Sequence, residues 1–241
     1  GFFVNLIKKS LTTRFGGDEN INNYYDTVAN LAAGTPTLEI NSGDPGSHDP
    51  TQGATGFSVV VLDANGTPKS YAGTISDAID AANNGDTIYL PAGEYDIGAL
   101  NNVTKAVNIR GEGADKTILT GTIIYKNLTN TDEAEKVITV DGITLNAPSG
   151  ENANHQGLCW STGVSGYTLN VTNCVFNNWE YAVGINSGAT GNTLNVSGTS
   201  FNNTWCAVST KTGNTISIES DVTTTEGAYA VQVFGTQDSG N

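Results

Sequence analysis

Pairs of apolar residues two apart recur along the chain, with polar residues between and beside them: Ile88/Leu90, Val107/Ile109, Ile138/Val140, Leu169/Val171, Leu194/Val196 and Ile216/Ile218. A period of two predicts strands with one buried face. The pairs are separated by steps of 19, 31, 31, 25 and 22 residues. Unequal steps with a constant strand pattern are expected of a solenoid in which insertions are confined to the turns between coils. The repeat is plainest in "YTLNVTNCVFNNWEYAV" at 167–183 and "NTLNVSGTSFNNTWCAV" at 192–208.

A second strand aligns in the same coils. One parity reads Leu158/Trp160/Thr162, Tyr181/Val183/Ile185, Cys206/Val208/Thr210 and Tyr229/Val231/Val233; the other reads Cys159/Ser161, Ala182/Gly184, Ala207/Ser209 and Ala230/Gln232. With the bulkier parity inward, the outer face of this strand is expected to be smooth, either a bare solvent face or a seat for a close neighbour. The first strand shows the opposite character outside: Thr168, Asn170, Thr193, Asn195, Thr215 and Ser217 form a grid of hydroxyls and amides, with ~7 Å between alternate residues and ~4.8 Å between coils. High β propensity accounts for Thr at such positions, and the grid is also the chain's candidate ligand-binding face. Phe176 and Phe201 are expected to stack in the core, with the Asn residues after them in left-handed turns. Trp179 and Trp205 lie near one corner, as core plugs or as a sugar-stacking platform.

Ahead of the coils, Ile75, Ala78, Ile79 and Ala82 share one helical face before an "NNGD" stop, which predicts a short amphipathic helix. The helix, then "GDTIYLPAGEY" at 85–95, then "VNIRGEGADKTIL" at 107–119 resemble the start of right-handed parallel β-helix proteins of the pectin-lyase-like group. The resemblance spans about residues 72–235. It implies an all-β fold, a right-handed parallel β-helix with an N-terminal capping helix and an N-terminal arm. It does not imply one activity, because many functions share this shape.

Three segments are expected. Residues 1–33 form a partly helical anchoring arm, residues 34–71 a linker ending in a short β-hairpin, and residues 72–241 the parallel β-helix. In the arm, Phe2, Phe3, Leu6, Ile7 and Leu11 make an apolar stripe beside Lys8, Lys9 and Arg14. Phe2, Phe3, Lys8, Lys9 and Arg14 are the candidate anchoring residues.

Charge narrows the partners. Ten Lys and Arg against 24 Asp and Glu give a net charge of −14, which disfavours nucleic acid and other polyanions. No apolar run reaches the ~18 residues of a membrane span. The three cysteines Cys159, Cys174 and Cys206 lack metal-ligand or redox spacing and read as small core residues. No metal site and no cofactor are expected, and no G-x-S-x-G, H-E-x-x-H or phosphate-loop motif occurs.

No carboxylate or basic cluster matches the polysaccharide lyases and hydrolases of this architecture. The weak catalytic candidates are Glu219 and Asp221, which on one strand face would be ~7 Å apart, as in an inverting hydrolase. His155 and His48 read as loop histidines. The expected function is that of a structural or binding protein without enzymatic activity, displayed on an extracellular surface or a virion. It resembles bacteriophage fibres, spikes and decoration proteins and bacterial adhesins, anchored in a larger assembly by its arm, as a homo-oligomer, with a glycan as a further partner. The alternatives are a polysaccharide lyase or depolymerase with its site between subunits, and an ice-binding or other flat-ligand face.

Overall fold

The structure is a computed structural model, and it describes residues 59–128, 130, 132–133, 136–148 and 156–235. The arm residues Phe2, Phe3, Lys8, Lys9 and Arg14, most of the linker, and both histidines lie outside the described residues. The chain enters through a hairpin of β1 (Val59–Leu62) and β2 (Pro68–Ala72), followed by helix α1 (Ile75–Ala81). The first coils consist of β3 (Thr87–Leu90) with β4 (Gly93–Val103), then β5 (Asn108–Gly111) with β6 (Thr117–Tyr125). Each of the next four coils has three strands. These are β7 (Val137–Asp141), β8 (Thr144–Asn146) and β9 (Gln156–Trp160); then β10 (Thr168–Thr172), β11 (Val175–Asn177) and β12 (Tyr181–Ile185). They are followed by β13 (Thr193–Ser197), β14 (Ser200–Asn202) and β15 (Cys206–Lys211), and by β16 (Thr215–Ile218), β17 (Thr223–Thr225) and β18 (Tyr229–Phe234).

Every pairing between coils is parallel, so this is the parallel β-solenoid expected from the repeat. Its first face runs β3-β5-β7-β10-β13-β16. The second and third faces both grow from β6, whose first half pairs with β8 and whose second half pairs with β9. β4 and β6 turn that corner without breaking. Gly98 and Gly121 sit there with φ of +55° and +135°, and a Cβ on Gly121 would lie 2.2 Å from the Gly98 carbonyl oxygen, so no larger residue fits.

Corners elsewhere are columns of residues in the left-handed region, stacked coil upon coil. Between the first and second faces stand Gly142, Asn173 and Gly198, and between the second and third stand Asn178, Asn203 and Glu226. After the third face come Gly163, Gly188 and Gly213. The Asn of "FNN" therefore turns the chain, as the sequence implies.

Inside, the apolar pairs of the first face are fully buried from Ile88 to Val196, and Phe176 stacks on Phe201 at 5.3 Å and Tyr125 on Trp160 at 6.0 Å. One register differs from expectation. Ile88 pairs with Ile109, and Ile109 with Val140, so Leu90 faces Gly111 rather than Ile109. Gly111 has no room for a side chain at that level, since a Cβ there would sit 2.2 Å from the Gly142 carbonyl oxygen.

The hairpin is part of the same sheet. β1 pairs antiparallel with β3 as well as with β2, and Val59 and Val61 are fully buried in the core. Helix α1 covers this end with Ile75, Ala78 and Ile79. Thr74 caps it by accepting from the Asp77 amide at 3.1 Å, and the Lys105 ammonium donates to the carbonyls of Ile79, Asp80 and Ala82. No helix among the described residues is long and apolar enough to cross a membrane.

Candidate functional site

The outward positions of the first face come together in the predicted grid. Thr168, Thr193 and Thr215 are in register, and so are Asn170, Asn195 and Ser217. The amides are turned along the solenoid axis. Asn195 donates to Asn170 at 2.9 Å, Asn170 to the Thr139 hydroxyl at 3.3 Å, and the Thr139 amide donates to Asn108 at 2.8 Å. The second face carries a parallel ladder, Asn202 to Asn177 to Asn146, each step 2.9 Å, closed by the Thr225 hydroxyl. Asn170, Asn177 and Asn202 thus each spend a donor and an acceptor on their neighbours, and the Thr column remains as the grid's outward display.

The carboxylates are dispersed. Asp141 accepts from the Thr172 hydroxyl at 2.6 Å and the Asn173 amide at 2.9 Å. Glu112 accepts from the Ala92 amide and Lys116, which holds its carboxyl below the usual range. Glu219 and Asp221 do not share a strand face. β16 ends at Ile218, and the two lie in the turn that follows, where the Val222 amide donates to the Glu219 carbonyl. The ~7 Å strand spacing expected for them does not apply, because the corner reorients successive residues. Among the described residues no three His, Cys, Asp or Glu side chains gather in a form that could hold a metal ion.

Of the two expectations for the small-residue side of the third face, a bare solvent face or a seat for a close neighbour, the bare solvent face does not hold. Cys159, Ala182 and Ala207 are buried along with Leu158, Val183 and Val208. The Trp179 ring lies 3.0 Å from where a Gly157 Cβ would be, and the Ser209 hydroxyl 2.8 Å from that of Gly184. At Gly157 and Gly184 a neighbouring coil leaves no room for a Cβ. Burial also pushes the Cys159 and Cys174 thiols up to about 12, which keeps them protonated core groups.

The two corner tryptophans have opposite fates. Asn178 and Asn203 occupy equivalent positions, their side chains hydrogen-bonded at 2.8 Å. Trp179 follows at once and turns inward, its indole N–H donating to the Leu145 carbonyl at 2.8 Å. In the next coil Thr204 takes that inward place, 1% exposed, and Trp205 falls in the outward place of Glu180. Trp205 is 43% exposed and Tyr229 47% exposed, their rings edge-on at 5.0 Å. Tyr181 meets Trp205 edge-on at 5.4 Å and Phe234 at 6.0 Å, and the Lys211 ammonium sits 4.6 Å over Phe234. Tyr181 and Tyr229 were expected to point inward. Each is the third residue after a left-handed corner residue, Asn178 or Glu226, and both join Trp205 outside. The one-residue displacement of Trp between "NNWEY" and "NNTWC" is the signal in the sequence that separates buried from exposed.

No family model, no curated protein and no solved structure matches this chain.

Proposed function

We propose that this chain is a structural or binding protein without enzymatic activity, displayed on an extracellular surface or a virion. Its solenoid serves as a stiff shaft, held in a larger homo-oligomeric assembly through residues 1–33. The reading carries over the resemblance to pectin-lyase-like β-helices of bacteriophage fibres and spikes and of bacterial adhesins. The observation that supports it most is the direction of the outward polar groups. Asn146, Asn177 and Asn202, Asn170 and Asn195, and Asp141 are hydrogen-bonded along the axis, which stiffens the stack and leaves them poorly placed to act on a substrate. A grid of this kind adds neighbour-to-neighbour stability in a quasi-one-dimensional fold.

The test has two arms. Removing residues 1–33 should detach the chain from its assembly while the solenoid keeps its melting transition; a truncated chain that still assembles sinks the anchoring role. Incubating the full chain with acidic and neutral polysaccharides, with and without Ca²⁺, should leave them intact. Cleavage that is lost in Glu219→Gln and Asp221→Asn would replace the shaft by a depolymerase. Thermal hysteresis lost in Thr193→Tyr would instead assign the Thr column to ice.

A further inference from the structure

The outward aromatic corner is not accounted for by folding. A tryptophan stabilises a fold by leaving water, yet Trp205 stands 43% exposed, while Trp179 one coil away is buried to 1%. Trp205 is also held in place. Tyr181 and Tyr229 pack edge-on against it from either side at 5.4 and 5.0 Å, so the indole has a fixed orientation and little rotamer freedom to lose on binding. Tyr181, Trp205 and Tyr229 stand on three successive coils, with Phe234 beside Tyr181, and form an exposed aromatic cluster in which neighbouring rings are inclined at 60° to 76°.

Local charge selects the ligand. Glu180 adjoins Tyr181 and Lys211 covers Phe234, one charge of each sign. The rest of the chain is strongly acidic, at −14 overall, and repels polyanions at longer range. Pyranose rings of a neutral saccharide present axial C–H groups to an aromatic face and hydroxyls at their rim, which suits one exposed indole with inclined phenol rings, a carboxylate and an ammonium group around it.

We infer that Trp205, with Tyr181 and Tyr229, forms a stacking platform for a neutral oligosaccharide on the outer corner of the last coils. This deepens the proposed binding role and rests on it, but it concerns a different part of the chain from the anchoring arm.

Trp160 and Trp179 are buried, so solvent-sensitive tryptophan fluorescence of the full chain reads Trp205. The full chain is titrated against neutral oligosaccharides built from glucose, galactose, mannose and N-acetylhexosamines, with hexagalacturonate as the anionic probe. At least one neutral sugar should shift the emission to the blue and protect Trp205 from acrylamide. Trp205→Ala and Tyr229→Ala should weaken binding tenfold or more, measured by calorimetry, with the melting transition kept within a few degrees; Trp205→Phe should retain part of the affinity. Four results overturn the platform: no neutral sugar binds, binding persists in Trp205→Ala, hexagalacturonate binds better than every neutral sugar, or Trp205→Ala alters the oligomeric state by sedimentation. Sugar binding that survives removal of residues 1–33 separates this platform from the anchoring role, and cleavage of a bound sugar would count against the shaft alone.

Discussion

Single residues decide the corners of this solenoid. Asn178 and Asn203 hold φ of +65° and +50° and share a hydrogen bond; an Ala at either position meets the left-handed penalty of ~1–2 kcal/mol and loses that bond as well. Asn178→Ala and Asn203→Ala are expected to lower unfolding stability by about 1–3 kcal/mol in urea titrations, and the matching Gly variants by less, since Gly keeps the turn and loses only the bond. Equal losses for Ala and Gly would show that the turn geometry contributes nothing. The thiols report a second property of the core. Their folded pKa values, about 12 for Cys159 and Cys174, lie above the ordinary thiol value, so the unfolded chain sheds these protons first as pH rises. Their contribution to stability is therefore present below pH ~9 and is lost progressively towards pH 12. The burial of Tyr125 acts in the same direction. Melting temperature should fall through that window, and folded protein at pH 8 should resist alkylation by iodoacetamide. That these cysteines are core residues is legible from their spacing; which side of the third face is buried is not, since both sides are.

At the level of elements, the N-terminal end is stabilised by local chemistry that a sequence displays and by a distant partner that it does not. Thr74 ahead of Ile75 and Asp77 in the first turn announce the start of α1. The other end depends on Lys105, more than twenty residues on, whose ammonium reaches three helix carbonyls. Thr74→Ala should cost about 1 kcal/mol, and Lys105→Met about 1–3 kcal/mol through the loss of charge-assisted bonds, both read from denaturant midpoints. Thr74→Ser should be nearly neutral; a Lys105→Met variant as stable as the parent would show that water satisfies those carbonyls equally well. The hairpin makes the same point. Its strands and turn are visible in "VVVLDANGTPKSYA", where Asp63 accepts from the amides of Asn65 and Thr67. Its role as the edge of the first sheet depends on β1 meeting β3 and on Lys69 reaching the buried Asp86 at 2.8 Å, pairings that no local pattern encodes.

Across the whole solenoid, stability should decline towards β16, β17 and β18. In that coil Ile218, Val231 and Val233 are exposed, Val233 to 61%, whereas the equivalent Val196, Val208 and Thr210 one coil earlier are buried. Hydrogen exchange should be fastest in Thr215–Phe234 and slowest around the Phe176–Phe201 stack, with several orders of magnitude between them; uniform protection would mean that the coils open as one unit. The sequence by itself determined the repeat, the inward apolar columns, the outward Thr and Asn grid and the helix at the start. Each follows from side-chain alternation or from turn chemistry within a few residues, which act before the chain is folded. Only the tertiary structure decided that the amides bond to each other along the axis, that Leu90 faces Gly111, that Glu219 and Asp221 fall on a turn, and that Trp205 stands outside beside Tyr181 and Tyr229. Those outcomes depend on which residue of one coil lies against which residue of the next. Coils of unequal length set that register through glycines and left-handed corners, and one residue of displacement there exchanges inside for outside.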